Sequence, residues 1–365
     1  MTRFDFRPRT RVLFGEGEFA RLGEVARELG ATRCLLVGDR GMVDLGYAAE
    51  AARSLKARRM EVTVFHDFDT TTAEAVEAGA EVARPHNIDL IAAVGGGSSM
   101  DCAKAINFVL SNGGTIRDYW GYGKASRPML PMIAVPTTAG TGSEAQSYAV
   151  VSDRSVKMVC GDSKAVFRVA ILDPKLTVTQ PRALTAAAGY DAISHAIETL
   201  VSTRRTAISE CFSRSAWRLL NENFERVLKN PEDLDARGAM LLGAHFGGLA
   251  IENSMLGAAH ACAGPLTEHY PIPHGQAIAL LLSHVVEWNS GAVGRQYDEL
   301  HAGNLAKRLR ELAEIAGLPV SLQDTPVRQE ALPRLAEEAA SQWAGKFNPR
   351  PFDAAAALEI YRSAY

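Results

Sequence analysis

The chain has 365 residues, 47% of them hydrophobic and 22% charged, with a formal net charge of −3 at pH 7. That length suits two domains or one large α/β unit, and the absence of a basic block or an aromatic-interleaved basic patch argues against nucleic-acid or anionic-membrane partners. The opening MTRFDFRPRT puts charges where a secretory leader needs an apolar core, no run approaches the roughly 18 apolar residues of a membrane span, and five scattered cysteines without a C-x-x-C pair fit reduced thiols in a cytoplasmic protein.

The first half alternates short apolar runs with helical patterns. RCLLVGD (33–39) reads as a strand and YAAEAARSLKARR (47–59) as a helix. EVTVFHD (61–67) is the next strand, TAEAVEAGAEVARPHN (72–87) the next helix, and DLIAAVGGG (89–97) a strand running into a glycine turn. SMDCAKAINFVL (99–110) is helical again, with LPMIAVPTT (130–138) and RVAILDP (168–174) as further strands. This alternation predicts a parallel sheet covered on both faces. After Pro181 long Ala/Leu patterns at helical spacing take over, broken at NPED (230–233), YPIPHG (270–275), GLPV (317–320) and NPRPFD (348–353). The expected division is an α/β domain over 1–180 and an all-helical domain over 181–365.

Two glycine-rich segments follow strands. VGGGSSMD (94–101) opens a helix, where free backbone N–H groups favour an anion and Ser98 or Ser99 can cap the helix or touch a phosphate. It is not a G-x-G-x-x-G fingerprint, and a plain β–α turn would look the same. PTTAGTGSE (136–144) packs hydroxyls and glycines into a second loop. In a parallel sheet such loops share the rim where ligands bind, so together with Asp39 at the end of an early strand they predict a nucleotide crevice. Asp39 would accept hydrogen bonds from an adenosine ribose and repel a 2′-phosphate, favouring NAD over NADP; Arg40 beside it pulls the other way.

The second half holds polar residues in unlikely places. In YDAISHAIETL (190–200), Asp191 and His195 stand four residues apart on one face of an apolar helix. His260 lies in the small-residue segment MLGAAHACAGPL and His274 at the Pro-Gly break of YPIPHG. Singly, each is more often a satisfied core or turn histidine than a ligand. Together they make a carboxylate and three imidazoles, a set suited to a divalent first-row metal. His269, five residues before His274, is a candidate proton carrier or an exposed loop residue.

GGGSSMDCAKA, PTTAGTGSE, GYDAISHAIE and HACAGPLTEHYPIPHG resemble the motifs of the iron-containing (group III) alcohol dehydrogenases, and the match runs to the closing NPRPFDAAAALEIYRSAY. The resemblance implies a Rossmann-like N-terminal domain binding NAD(P), an all-α C-terminal domain (the dehydroquinate synthase-like fold), and a metal in the cleft between them. It carries the metal ligands onto Asp191, His195, His260 and His274. It carries cofactor contacts onto Gly96, Gly97, Ser98, Ser99, Asp101, Thr137, Thr138 and Thr141, with Asp39 as the cofactor-selecting acid and Lys157 on the nicotinamide side. Many relatives have a second histidine four residues after the third ligand, where this chain has Gly264; they also have Asn-Pro where it has Thr70 and Thr71.

The expected activity is hydride transfer between NAD(P) and a small alcohol, aldehyde or ketone, with the metal favouring the alkoxide as it does a bound hydroxide. Four protein ligands would close a tetrahedral zinc site, whereas Fe2+ takes five or six, so iron is expected ahead of zinc or another divalent metal. Without a histidine at 264 the released proton needs another route, through water and ribose hydroxyls or through His269. The competing readings are a lyase or cyclase of the dehydroquinate-synthase type and a glycerol-dehydrogenase-like polyol enzyme. A homo-oligomer, most simply a dimer, is expected.

Overall fold

The computed structural model describes residues 3–154 and 156–365. Its first half is built on a six-stranded, all-parallel sheet. The strands are Arg11–Phe14 (β1), Arg33–Val37 (β2), Glu61–Phe65 (β3), Leu90–Gly95 (β4), then, after the two-residue strand Gly121–Tyr122 (β5) of a separate small sheet, Met132–Pro136 (β6). Two more strands of the small sheet follow, Tyr148–Asp153 (β7) and Val156–Gly161 (β8), and Val169–Leu172 (β9) completes the main sheet in the order β1-β9-β6-β4-β2-β3. β4, β6 and β9 are buried at every residue, as expected for central parallel strands with both faces covered. The covering helices are Leu22–Glu28 (α1), Arg40–Asp44 (α2), Tyr47–Ala57 (α3), Ala73–Ala83 (α4) and Gly97–Asn112 (α5). Leu22 and Val25 of α1 and Leu55 of α3 meet Leu36, Leu90, Val94, Ile133 and Ile171 in one apolar core.

The β7–β8 pair is an antiparallel hairpin absent from the sequence reading. Its apolar alternation is present, with Ala149 and Val151 buried and Val150 exposed between them. Arg154 takes the left-handed turn conformation at φ 53, so no Asn-Gly or Asp-Gly marks the turn.

Nine helices make up the rest: Arg182–Val201 (α6), Ala207–Lys229 (α7), Leu234–Asn253 (α8), Ala258–His269 (α9), His274–Val293 (α10), Gln296–Leu300 (α11), Leu305–Ala316 (α12), Leu332–Ser341 (α13) and Ala354–Ala364 (α14), counted among the described residues. The four sequence breaks fall between helices for local reasons. Asp233 of NPED accepts a hydrogen bond from Ala236 N–H and caps α8; Asp353 of NPRPFD does the same for α14 through Ala356. Gly317 of GLPV ends α12 in the left-handed conformation, φ 71. α6 packs against α7, α8 and α10, and every residue from Gly189 to Val201 is buried. A helix apolar all round is a core helix, and polar groups on it need partners.

By its internal contacts the chain forms two compact units: Arg7–Thr138 with Gly142–Thr179, and Gln180–Tyr365 with residues 3–6 and Ala139–Thr141. No helix among the described residues is long and apolar enough to cross a membrane.

Candidate metal centre and nucleotide loops

From β2 the chain moves outward to β3, then returns to lay β4 on the other side of β2. The carboxyl ends of β2 and β4 therefore flank a topological switch point, the place where open α/β sheets bind ligands. Asp39 follows β2 there, and Gly95–Ser99 leads from β4 into α5. Ser99 Oγ donates to Asp39 Oδ2 at 2.8 Å, and Asp39 N–H donates to Ser99 Oγ at 3.2 Å. A side chain at Gly95 could not fit: a Cβ would lie 2.2 Å from Ser99 Oγ, and φ is 144. Gly96 and Gly97, half-buried like Ser98, begin the α5 turn, and Thr138 packs its methyl 3.1 Å from where a Gly96 Cβ would be. Thr137, on the neighbouring strand end, donates its N–H to the Gly95 carbonyl at 2.9 Å. Thr71 has a task of its own here, its hydroxyl donating to the Ser98 carbonyl at 2.8 Å.

Arg40, which in sequence stands next to Asp39, is drawn off by two carboxylates, Asp67 at 2.5 Å and Asp69 at 2.8 Å. Asp101 differs from expectation, because both its oxygens are used inside the fold. Oδ1 accepts from Ser143 Oγ at 2.5 Å and Oδ2 from Val150 N–H at 3.0 Å. It ties α5 to Ser143 and to β7. Thr141 is exposed and counts with the helical unit, where Gly140 lies against α6; a Gly140 Cβ would stand 2.8 Å from that of Ala188. Lys157 lies exposed on β8, opposite Ser152.

On the helical side, Asp191 and His195 project from α6, His260 from the first turn of α9, and His274 from the first residue of α10. Asp191 Oδ1 lies 3.4 Å from His195 Nε2, 3.5 Å from His260 Nε2 and 3.4 Å from His274 Nε2. Ligand atoms at bonds of about 2.1 Å and tetrahedral angles stand roughly 3.4 Å apart. Asp191 Oδ1 and His260 Nε2, two of the converging atoms, are buried without a hydrogen-bond partner. Orphaned polar atoms in an apolar helix core are costly unless something ties them together, and the donor set of three imidazoles and one carboxylate fits a divalent cation. His274 is the open member, its side chain 43% exposed.

Electrostatics runs the same way. Burial works against the Asp191 carboxylate, but His195, His274 and His260 outweigh it and hold it well below the usual carboxylate range. Burial drives the His195 imidazole down to about 4 against the pull of Asp191. His260 goes up to about 9, because Glu198 and Asp191 overcome its burial.

Glu198 is the residue that sequence reasoning missed. It lies on α6 with Asp191 and His195, is 4% exposed, and sits 2.6 Å from His260 Nδ1 through Oε2. Its Oε1 accepts from Ala259 N–H at 2.7 Å. Such a carboxylate keeps a proton on Nδ1 and leaves Nε2, on the Asp191 side, as the nitrogen that would give up its proton to ligate a metal.

Close approach of the helices makes the cluster. The Gly275 Cβ position is 2.1 Å from the Ala187 carbonyl oxygen, so only glycine lets the start of α10 lie on α6. Gly247 of α8 does likewise against His195, at 3.3 Å from its Cβ.

His269 does not join the group. Nine residues from His260 are two and a half turns, which puts it on the opposite face of α9 and about 13 Å along the axis. Its Nε2 lies 2.5 Å from Glu338 of α13, so the relay expected of it is replaced by a link between helices.

Comparison with known proteins agrees with this chemistry. Residues 8–174 match the model of the iron-containing alcohol dehydrogenases and residues 185–365 that of the C-terminal domain of the Fe-containing alcohol dehydrogenase family. The chain belongs to the iron-containing alcohol dehydrogenase family. It is 33% identical to the NAD-dependent methanol dehydrogenase of Bacillus methanolicus, covering 96% of both chains, and 32% identical to the 1,3-propanediol dehydrogenase of Citrobacter freundii, again covering 96% of both. A solved 1,3-propanediol oxidoreductase superposes over 100% of both chains with a TM-score of 0.96 at 30% identity. The sulfoacetaldehyde reductase of Bifidobacterium kashiwanohense, solved with NAD+, does so over 100% of this chain and 99% of that one, with a TM-score of 0.91 at 29% identity. The protein is thus an NAD-linked, metal-dependent oxidoreductase of small alcohols or their carbonyl counterparts, with iron and NAD as its cofactors.

Proposed function

We propose that Asp191, His195, His260 and His274 hold the iron, and that Asp39, the Gly96–Ser99 turn and Thr137–Thr138 hold the nucleotide, with Thr141 and Lys157 as further contacts. Residues 1–180 then serve as the nucleotide domain and 181–365 as the metal and substrate domain. The observation that carries this reading is the convergence of three imidazole nitrogens on one buried carboxylate oxygen at 3.4–3.5 Å. When bound, iron supplies the Lewis acidity that favours an alkoxide, and NAD supplies the hydride acceptor. Asp191 contributes the single negative charge of the ligand set, Glu198 fixes the tautomer of His260, and burial keeps His195 neutral. With His269 held by Glu338, the alcohol proton leaves through water and ribose hydroxyls.

Substrates are short primary alcohols and diols, as the names of the relatives suggest. The iron-loaded protein is expected to generate NADH absorbance from NAD and a short alcohol, to lose that activity on chelation, and to regain it on reloading. NAD reduction that persists undiminished after the metal is removed overturns the assignment.

Asp39 has one oxygen committed to Ser99 and one left for a ribose hydroxyl, while Arg40 is paired elsewhere. Asp39→Gly is therefore expected to raise the NADP to NAD ratio of kcat/KM by about tenfold, the scale of one charged hydrogen bond. An unchanged ratio would mean that Asp39 does not face the ribose.

A cytoplasmic setting suits the five unpaired thiols. A homodimer suits β1, which closes one edge of the sheet with Val12 and Phe14 exposed.

A further inference from the structure

The face of α9 that carries His260 continues one turn on at Gly264, where no side chain follows. Residues four apart on a helix stand about 5–6 Å apart at Cβ, so a group at this place borders the metal ligand. The gap is filled from another segment. A Cβ built on Gly264 would lie 3.2 Å from Gln342 Cδ and 3.5 Å from both its Nε2 and its Oε1, so the carboxamide lies flat against the bare helix.

Gln342 stands just past the end of α13, its backbone N–H donating to the Ala339 carbonyl at 3.0 Å. The strip around it is clamped to α9 on both sides. Glu338 takes His269, and Gly345 sits against Ala261, where a Cβ would come 3.5 Å from the alanine methyl. Yet the carboxamide itself has no hydrogen-bond partner among the described residues, and it is only half-buried. A polar group without an internal bond, lying against Gly264 one turn from a proposed metal ligand, is placed to receive a partner from outside.

We propose that Gln342 is a specificity-determining residue that hydrogen-bonds a second oxygen of the substrate, selecting short diols or hydroxyaldehydes over plain alcohols. The inference rests on the reading of the metal centre given above. The amide offers one acceptor and two donors, so it recognises either a hydroxyl or a carbonyl, and it does not titrate near neutrality. A site built to pair with a substrate hydroxyl discriminates against the analogue that lacks it, because the protein group is then left unpaired. Gly264 is what leaves this room: a side chain there would push the carboxamide aside.

The test compares Gln342→Leu with the wild type, both iron-loaded, using 1,2-propanediol, 1,3-propanediol and 1-propanol with NAD. The ratio of kcat/KM for the better diol to that for 1-propanol is expected to fall at least tenfold, with iron stoichiometry unchanged. Calorimetric titration of that diol into the enzyme–NADH complex, which cannot turn over, should show Kd rising by a similar factor. Gln342→Ala should move both readouts the same way should the leucine variant fold poorly. An unchanged ratio, or an equal loss for diol and propanol, overturns the proposal while leaving the dehydrogenase reading intact. A wild type that reduces NAD with none of the three overturns both.

Discussion

Gly275→Ala is expected to cost the enzyme its metal and at least a hundredfold in turnover, although it adds a single methyl group to an ordinary helical position. The added carbon would stand 2.1 Å from the Ala187 carbonyl oxygen, a backbone atom that no rotamer change can move. The start of α10 must therefore withdraw from α6 by about an ångström to restore normal contact. His274 is the residue immediately before, and its Nε2 reaches Asp191 only because that approach is tight, at 3.4 Å. Metal–ligand distances tolerate about 0.2 Å, and a misplacement of about 1 Å at a reacting centre costs on the order of 10²-fold in rate. Overpacking of this kind destabilises by about 1–3 kcal/mol, so the variant should still fold. Iron content after loading, read beside the thermal unfolding midpoint, checks the result. His274→Ala supplies the reference, since it removes the same imidazole without crowding α6. Full iron stoichiometry and normal turnover in Gly275→Ala would show that the tight approach of α10 to α6 is not what seats His274.

Glu198→Gln should weaken iron binding by about 10- to 100-fold, the usual cost of losing a carboxylate behind a ligating histidine. The change is nearly isosteric, but the two oxygens of Glu198 face two donors, Ala259 N–H at 2.7 Å and the His260 Nδ1 side at 2.6 Å. A carboxamide brings one acceptor and one NH2, so one of those donors must face another donor in a pocket where Glu198 is 4% exposed. The cheapest escape is a turn of the imidazole or a change of its tautomer, and either withdraws the Nε2 lone pair. The negative charge that raises His260 is lost as well. Competition with a chelator of known affinity measures the effect, with Glu198→Asp as a control that keeps the charge and shortens the reach. Iron affinity equal to wild type in Glu198→Gln would mean that the carboxylate serves packing alone.

Periodicity and turn chemistry carried much of this molecule in its sequence. The parallel sheet follows from apolar runs separated by helical patterns, and the helical half from Ala/Leu spacing cut by Asn-Pro, Pro-Gly and Gly-Leu-Pro breaks. Asp191 and His195 stood out because an apolar stripe has no packing use for them. The same stripe continues to Glu198 at the i+7 position, so a signal was there; what it lacked was a partner, since His260 comes from another helix. Gln342 and Gly264 are a stronger case, because nothing local marks a glutamine past a helix end as the filler of a distant glycine. Asp101 and His269 went the other way. Their types suited the chemistry, but Ser143 with Val150, and Glu338, claim them through contacts that span the chain. The hairpin was overlooked because its turn uses a strained Arg154 where a glycine would have announced it.

The four proposed iron ligands all belong to the helical unit, whereas Asp39 and the Gly95–Ser99 turn belong to the other. The proposed iron set is thus complete within one unit, while the proposed nucleotide contacts other than Thr141 lie in the second. On that proposal iron affinity is expected to be the same with and without NADH, since the proposed ligand set draws no residue from the nucleotide unit.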